Sequence, residues 1–321
     1  MQYKTQLDAR MEKPNVLVVD TVDRHILDAL ENYGAAVNYS PGMSRDAILE
    51  IVDKYHVILG RTRMPIDRGI IDAGKKLRII GRAGVGIENI DVEAAREHGI
   101  RVINAPGEAT ESVVELTIHL IIAGLRSTHA CIEDVKAGKF AKSLGSELAG
   151  KAVGIVGFGR IGTRVSQVLK AFGAEVIVTD LKDYREKARE LGVEFTDHRT
   201  LYRRSDIVCL HVNMEVNRVP VIGTEEVESM KDGVILINTA RGAATEMKAV
   251  YWGLESGKIG FYGADVMWNE PPRDETEIKM LGLRNVAVTP HIGANTKEAQ
   301  ERIAKYLADK LVVALGEIEG V

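Results

Sequence analysis

Only two of the 321 residues are cysteines, Cys131 and Cys209. So few thiols fit a reducing compartment better than a disulfide-stapled one. Neither cysteine has neighbours spaced as metal ligands, so no metal is expected. Cys209 falls in the apolar run Ile207–Leu210 and reads as a packing residue. No apolar run is long enough to span a bilayer. Met1 to Lys13 is polar and charged and lacks the apolar segment of a signal peptide, so a cytoplasmic protein without a membrane partner is expected. Basic residues are not in excess: 42 Lys and Arg face 46 Asp and Glu, a formal net charge of −4. That balance offers no basic face to a nucleic acid. Low-complexity tracts are missing, and so is any repeat beyond a strand–helix rhythm.

That rhythm runs almost throughout and predicts an α/β protein with parallel sheets. A first series of strands is expected at Asn15–Val19, Ala36–Tyr39, Val57–Leu59, Leu77–Ile80 and Arg101–Ile103. Helical patterns separate them at Arg24–Tyr33, Ser44–Lys54, Ile66–Gly74 and Asp91–His98. A second series runs Ala152–Val156, Glu175–Thr179, Val193–Phe195, Ile207–Leu210, Val234–Ile237, Phe261–Ala264 and Val286–Val288. At this length two domains are the natural expectation, here two doubly wound parallel-sheet units. Between the series lies one long helical pattern, Gly107–Lys139, apolar on nearly every side from Val113 to Leu125. Such a helix must be buried on two faces, which predicts a homodimer. A last helix, Thr296–Gly316, would return to the first unit. That unit is then discontinuous, residues 1–104 with 295–321, around an inserted domain of 105–294. A ligand is expected in the cleft between the two.

The most informative stretch is Gly157-Phe158-Gly159-Arg160-Ile161-Gly162. It follows the strand Ala152–Val156 and opens a helical pattern, Arg160–Phe172. The next strand, Glu175–Thr179, ends on Asp180. This is the order a dinucleotide needs. Gly157 makes the turn, Gly159 lets the pyrophosphate approach the backbone, and Gly162 lets helix and strand pack closely. The helix start at Arg160 and Ile161 supplies N–H groups and partial positive charge. Asp180 accepts from the ribose hydroxyls and would repel a 2′-phosphate, favouring NAD over NADP, with Lys182 nearby as the one opposing feature.

Three polar residues follow strand ends in the second series: Arg241 in Asn238–Gly242, Glu270 in Asp265–Pro272, and His291 in Thr289–Gly293. Parallel strands share one C-terminal edge, where ligands bind, so the three are expected to converge there. Oxidising a 2-hydroxy acid removes a proton from oxygen and a hydride from carbon. A histidine suits the proton, a glutamate beside it orients the ring and raises its pKa, and an arginine holds the substrate carboxylate. Taken singly, Arg241 reads equally as a surface cation and Glu270 as a turn residue; together at one edge they read as a site. His211 ends its strand and reads as lining the cofactor cleft rather than reacting. The other six histidines, His25, His56, His98, His119, His129 and His198, show no partner in the sequence. In the first series, Gly84-Val85-Gly86 within Gly81–Gly86 is either an anion-binding nest or a plain turn. Arg61 and Thr62, in Gly60–Arg63, either bind the substrate's anionic end or form a solvated basic loop.

With these segments assembled, the chain resembles the D-isomer-specific 2-hydroxyacid dehydrogenases over nearly its whole length. The resemblance is carried by Gly81–Asp91 (GRAGVGIENID), Leu148–Gly162 (LAGKAVGIVGFGRIG), Ile237–Gly242 (INTARG), Ala264–Pro272 (ADVMWNEPP) and Thr289–Ala294 (TPHIGA). It implies a Rossmann cofactor domain inserted in a flavodoxin-like substrate domain, NAD as cofactor, Arg241, Glu270 and His291 as the catalytic triad, and a dimer through the cofactor domain. It also implies cofactor contacts from Thr239, Ala240, Asp265 and Gly293. Within the family, GRAGVGIENID followed by INAP (Ile103–Pro106) is most similar to the 3-phosphoglycerate dehydrogenases, and the chain ends before the regulatory domain some of these carry. Several positions depart from the family pattern. Glu108-Ala109-Thr110 stands where Gly-Asn-Thr is usual, and a carboxylate sits poorly beside a phosphate. Asn213 stands where proline is usual, Thr245-Glu246 replaces an acidic pair, and Phe140 stands where tryptophan is common. The implied activity is NAD-dependent interconversion of a small anionic 2-hydroxy acid and its 2-keto acid, with 3-phosphoglycerate first. Glyoxylate or hydroxypyruvate reduction is the alternative, Arg61 and Lys142 speaking for a phosphate and Glu108 against. A nucleotide-sensing corepressor is the reading from another class.

Overall fold

The computed structural model describes residues 13–217 and 219–318, so most of the polar N-terminal segment lies outside the described residues. The chain divides into two compact units, one leaving at Ala109 and resuming at Thr296, the other running from Thr110 to Asn295.

The first unit holds strands β1 (Asn15–Val18), β2 (Ala36–Tyr39), β3 (Val57–Gly60), β4 (Ile79–Arg82) and β5 (Arg101–Ile103). They pair in the order β2-β1-β3-β4-β5, all parallel. A parallel sheet is covered on both faces, which is why β3 is buried at every position. The helix Arg24–Tyr33 starts at Asp23, whose carboxylate accepts from His25 N, and stops at Gly34 in the left-handed region. The helix Lys297–Gly316, capped by Thr296, buries Ile303, Leu307, Leu311 and Leu315. These join the core of Val16, Val18, Leu30 and Leu59, so the chain's last helix completes its first sheet.

The second unit holds β6 (Ala152–Val156), β7 (Glu175–Thr179), β8 (Glu194–Phe195), β9 (Ile207–Leu210), β10 (Val234–Asn238), β11 (Ile259–Ala264) and β12 (Val286–Val288). Their order is β12-β11-β10-β9-β6-β7-β8, again all parallel. Sequence order reverses between β6 and β9, and a crevice opens at such a reversal. Two doubly wound parallel sheets are thus present.

Three expected helices differ. Gly107–Lys139 is two helices, Thr110–Arg126 and Thr128–Lys136, broken at Ser127, which takes φ +49°. The carbonyl of Leu125 accepts from Ser146 N instead of continuing the helix. The first helix buries Val114, Thr117, Leu120, Ile121 and Leu125, whereas the second buries no side chain. Two shorter helices also begin or break differently. Ile66 pairs with Ile90 in an isolated bridge, so its helix starts after Asp67, and Ser44–Lys54 divides into Arg45–Leu49 and a 3-10 turn, Val52–Lys54.

Candidate active site

The turn after β6 meets each demand of a dinucleotide. Gly157 has φ +96°, and a Cβ there would lie 2.5 Å from the His211 carbonyl oxygen. A Cβ on Gly162 would strike the carbonyl oxygen of Gly157, so the helix can approach the strand only without one. Nothing lies within 4 Å of the Cβ position at Gly159. The helix Arg160–Ala171 starts there without a side-chain cap, which leaves its first N–H groups for an anion. Asp180 is fixed beside the turn: Oδ2 accepts from Phe158 N at 2.6 Å and Oδ1 from Lys182 N at 2.9 Å. These residues fit a dinucleotide pyrophosphate and ribose.

His211 follows β9 with its Nε2 buried and without a protein partner. Burial pushes its pKa down to about 3, which favours the neutral ring. Its neighbour Thr239 is anchored by a 2.9 Å bond between its hydroxyl and that of Thr117 on the helix Thr110–Arg126.

Arg241 sits on a turn organised from below. Asn238, the fully buried last residue of β10, donates from Nδ2 to Arg241 O at 2.9 Å. Its Oδ1 accepts from Ala240 N at 3.0 Å. At Gly242 a Cβ would collide with the main chain of Met267, so glycine there lets the arginine turn press against the loop after β11. That loop carries Glu270, whose Oε1 accepts from Met267 N at 3.2 Å and whose Oε2 lies 2.7 Å from His291 Nδ1. His291 occupies the left-handed region, φ +52°, a conformation non-glycine residues adopt only where their surroundings impose it. Asp265, 2% exposed, supplies that constraint: Oδ1 accepts from Thr289 Oγ1 and Ile292 N at 2.6 and 2.8 Å, and Oδ2 from Gly293 N at 2.7 Å.

The electrostatics follow from this arrangement. The hydrogen bond that His291 donates to Glu270 raises the His291 pKa above its ordinary value against the opposing effect of burial, the charges of Glu270 and Asp265 add to the rise, and Arg241 opposes it. Burial pushes Glu270 up, but the bond and charge of His291, with Met267 N and Arg241, outweigh it and hold the carboxyl low. With Nδ1–H donating to a carboxylate, Nε2 of the neutral ring is left as the proton acceptor.

The second unit therefore gathers Arg241, Glu270 and His291, and it places Gly157, Gly159, Arg160, Ile161, Gly162 and Asp180 around one turn. Asp265 and Gly293 bond to each other. The sequence reading missed Asn238 and the clamp formed by Asp265. Only Asn238 left a signal, a polar residue ending an apolar strand.

The first unit's edge is built around Asp20, 4% exposed, just past β1. Its Oδ2 accepts from Arg61 N at 2.7 Å and its Oδ1 from Arg63 Nε at 3.0 Å. Arg63 also donates to Val19 O and Met43 O, so it is a structural cation. Thr62 is exposed and Arg61 half-buried. After β4, Gly84 N donates to Arg82 O, and a Cβ on Gly84 would collide with the Arg82 guanidinium, which lies against the turn. Asn104 donates to Val85 O and Ala105 N to Gly84 O. The N–H groups of Val85 and Gly86 have no partner among the described residues.

The model of the D-isomer specific 2-hydroxyacid dehydrogenase NAD-binding domain matches residues 118–293. A hydroxypyruvate reductase of Thermotoga maritima is 39% identical over 95% of this chain and 100% of its own. A D-3-phosphoglycerate dehydrogenase of Archaeoglobus fulgidus is 38% identical over 92% of this chain, which spans 56% of that relative's length. Among solved structures, a glyoxylate reductase from Paecilomyes thermophila superposes with a TM-score of 0.87 at 30% identity, over 95% of this chain and 96% of that one. The chain belongs to the D-isomer-specific 2-hydroxyacid dehydrogenases and is an NAD-dependent oxidoreductase of that family.

Proposed function

We propose that the chain reduces hydroxypyruvate to its D-2-hydroxy acid with NADH, and runs the reverse oxidation with NAD. The observation that carries the acid–base chemistry is the 2.7 Å contact of His291 Nδ1 with Glu270, with Arg241 close enough to act on both groups. Arg241 binds the substrate carboxylate through its planar fork and orients the C2 carbonyl. In reduction, His291 Nε2 gives its proton to the carbonyl oxygen, and in oxidation it takes the proton from the C2 hydroxyl. Glu270 holds the ring in the tautomer that permits this and stabilises the imidazolium. When bound, a nicotinamide would supply the redox half, a hydride for C2 in reduction. The cofactor contacts fall to Gly157, Gly159, Arg160, Ile161, Gly162, Asp180, Thr239, Ala240, Asp265 and Gly293, with His211 as a neutral wall.

The choice of substrate draws on the hydroxypyruvate reductase matched from end to end, and on Glu108, a carboxylate on the stretch entering the second unit. A second reading, 3-phosphohydroxypyruvate, is favoured by Arg61 and Arg82 at the first sheet's edge and by the phosphoglycerate dehydrogenases among the relatives. The N–H groups of Val85 and Gly86, with Arg61 and Thr62, would hold the substrate's anionic end in either case. Two copies associating through the helix Thr110–Arg126 are part of the same proposal. Following NADH oxidation with hydroxypyruvate, glyoxylate and 3-phosphohydroxypyruvate side by side tests the choice. A clear preference for the phosphorylated acid replaces the first reading with the second, and silence with all three revives a nucleotide-sensing role.

A further inference from the structure

Glu277 is fully buried and forms no ion pair among the described residues. The groups that bond to its carboxylate are N–H donors. Oε1 accepts from Asn269 N at 2.8 Å. Oε2 accepts from Asn269 Nδ2 at 2.9 Å and from Arg273 N and Asp274 N at 3.1 Å each. Burial pushes this carboxyl up and the four bonds more than offset that, holding it below the ordinary carboxylate range.

One of the four bonds is ordinary. Glu277 is the third residue of the helix Glu275–Leu281, and its contact with Asp274 N closes a capping box. A cap needs no more than that. The remaining three reach past the helix to residues 269 and 273, which bracket Glu270-Pro271-Pro272. The two prolines have no N–H and a fixed φ, so this segment cannot secure itself through its own main chain. Both of its ends are tied to one buried carboxylate instead, and Glu270, the residue next to Asn269, is presented to His291.

The geometry points to Glu277 as a positioning residue for the acid–base pair: by gripping Asn269 and Arg273 it holds Glu270 at hydrogen-bond distance from His291. The inference rests on the reading of His291 and Glu270 as that pair, and deepens it. Glu277 touches neither of them, so it acts through the loop. The charged groups acting on His291 are Glu270, Asp265 and Arg241. Of these, the Glu277 loop carries Glu270.

The test is Glu277→Gln in the full-length protein, read first by the NMR titration of the His291 ring, which needs no turnover. Glutamine keeps the shape but points a donor at donors on one side. The expected result is a His291 midpoint lowered by about one pH unit and a kcat for hydroxypyruvate about tenfold lower, with the Kd for NADH within about twofold of the parent. Asp274→Ala is the control. It removes the helix cap but leaves Asn269 and Arg273 tied, and should lower Tm while leaving the midpoint and kcat unchanged. If Glu277→Gln folds poorly, Asn269→Ala, at an exposed residue, should give a smaller shift of the same sign. An unmoved midpoint in the folded variant, or an equal shift in Asp274→Ala, overturns the positioning role. A parent protein silent with every keto acid would sink the reading of His291 and Glu270 as the acid–base pair for such substrates while leaving the titration interpretable.

Discussion

Asp20 and Asp265 occupy corresponding places in the two sheets. Each follows the C-terminal end of the second strand from one edge of its sheet, each is nearly sealed from solvent, and each fixes a loop that carries a candidate ligand-binding residue. They differ in what neutralises them. Asp20 is paired with the guanidinium of Arg63, while Asp265 is held by two main-chain N–H groups and a hydroxyl. Asp180 and Glu277, in the second unit, follow Asp265 and not Asp20: N–H groups hold both. A carboxylate held by N–H dipoles needs no cation of its own, and its field still reaches its neighbours. Asp265 does contribute to the rise of the His291 pKa. In the second unit Asp265 is thus held without an arginine, whereas the first commits Arg63 to its own frame.

The sharpest way to break the comparison is at His291 itself. His291→Ala should cut turnover by about three orders of magnitude, within the usual range for losing a general acid–base group, with NADH affinity nearly unchanged. Turnover at the parent rate removes the residue from proton transfer. Glu270→Gln should have the next largest effect, about tenfold or more on kcat, and it should also move a pH limb. Glu270 raises the His291 pKa, so in the parent the imidazolium needed for reduction persists above the ordinary histidine value. Without the carboxylate, the alkaline fall in the reduction rate should shift to lower pH, and the rise in the oxidation rate should shift the same way. An unshifted profile means that something other than Glu270 sets the imidazole. Asp180→Ala comes third. Losing the charge proposed to face the ribose should raise the NADP-to-NAD ratio of kcat/KM by about tenfold, equivalent to about 1.4 kcal/mol. A constant ratio assigns the discrimination elsewhere.

What the sequence made legible divides along the same line. The turn Gly157–Gly162 could be read in full because its requirements are local: a left-handed first residue, an open second and a crowded third, all within six positions. The convergence of Arg241, Glu270 and His291 was also readable, since parallel strands place their C-terminal ends together whatever lies between. The supports were not. Asp20 binds a main-chain N–H 41 residues away, and nothing in its local pattern separates it from a loop aspartate. Glu277 looks like a helix-cap glutamate and is one; the three further bonds depend on how the loop from 268 to 274 folds back. The break at Ser127 was hidden because the residues before and after it are both helical in composition, and the carbonyl that ends the first helix is taken by a residue 21 positions after Leu125.

The smallest effect is the one that tests the division of labour. Asp20→Asn preserves shape but removes the charge opposite Arg63, and its amide must turn a donor toward either Arg61 N or Arg63 Nε. Arg63 retains its bonds to Val19 O and Met43 O, so the loop should loosen without letting go. Arg63 is about half exposed, and an ion pair so open to solvent contributes little by itself, so the change in Tm should be small. In the proposed function Arg61 would bind substrate and takes no part in the acid–base pair. Its displacement should therefore raise KM by about three- to fivefold and leave kcat and its pH profile in place, the pattern of lost uniform binding. A fall in kcat with KM unchanged would mean that the Asp20 edge contributes to the transition state itself. Arginine-paired and dipole-held carboxylates would then no longer mark two separate tasks.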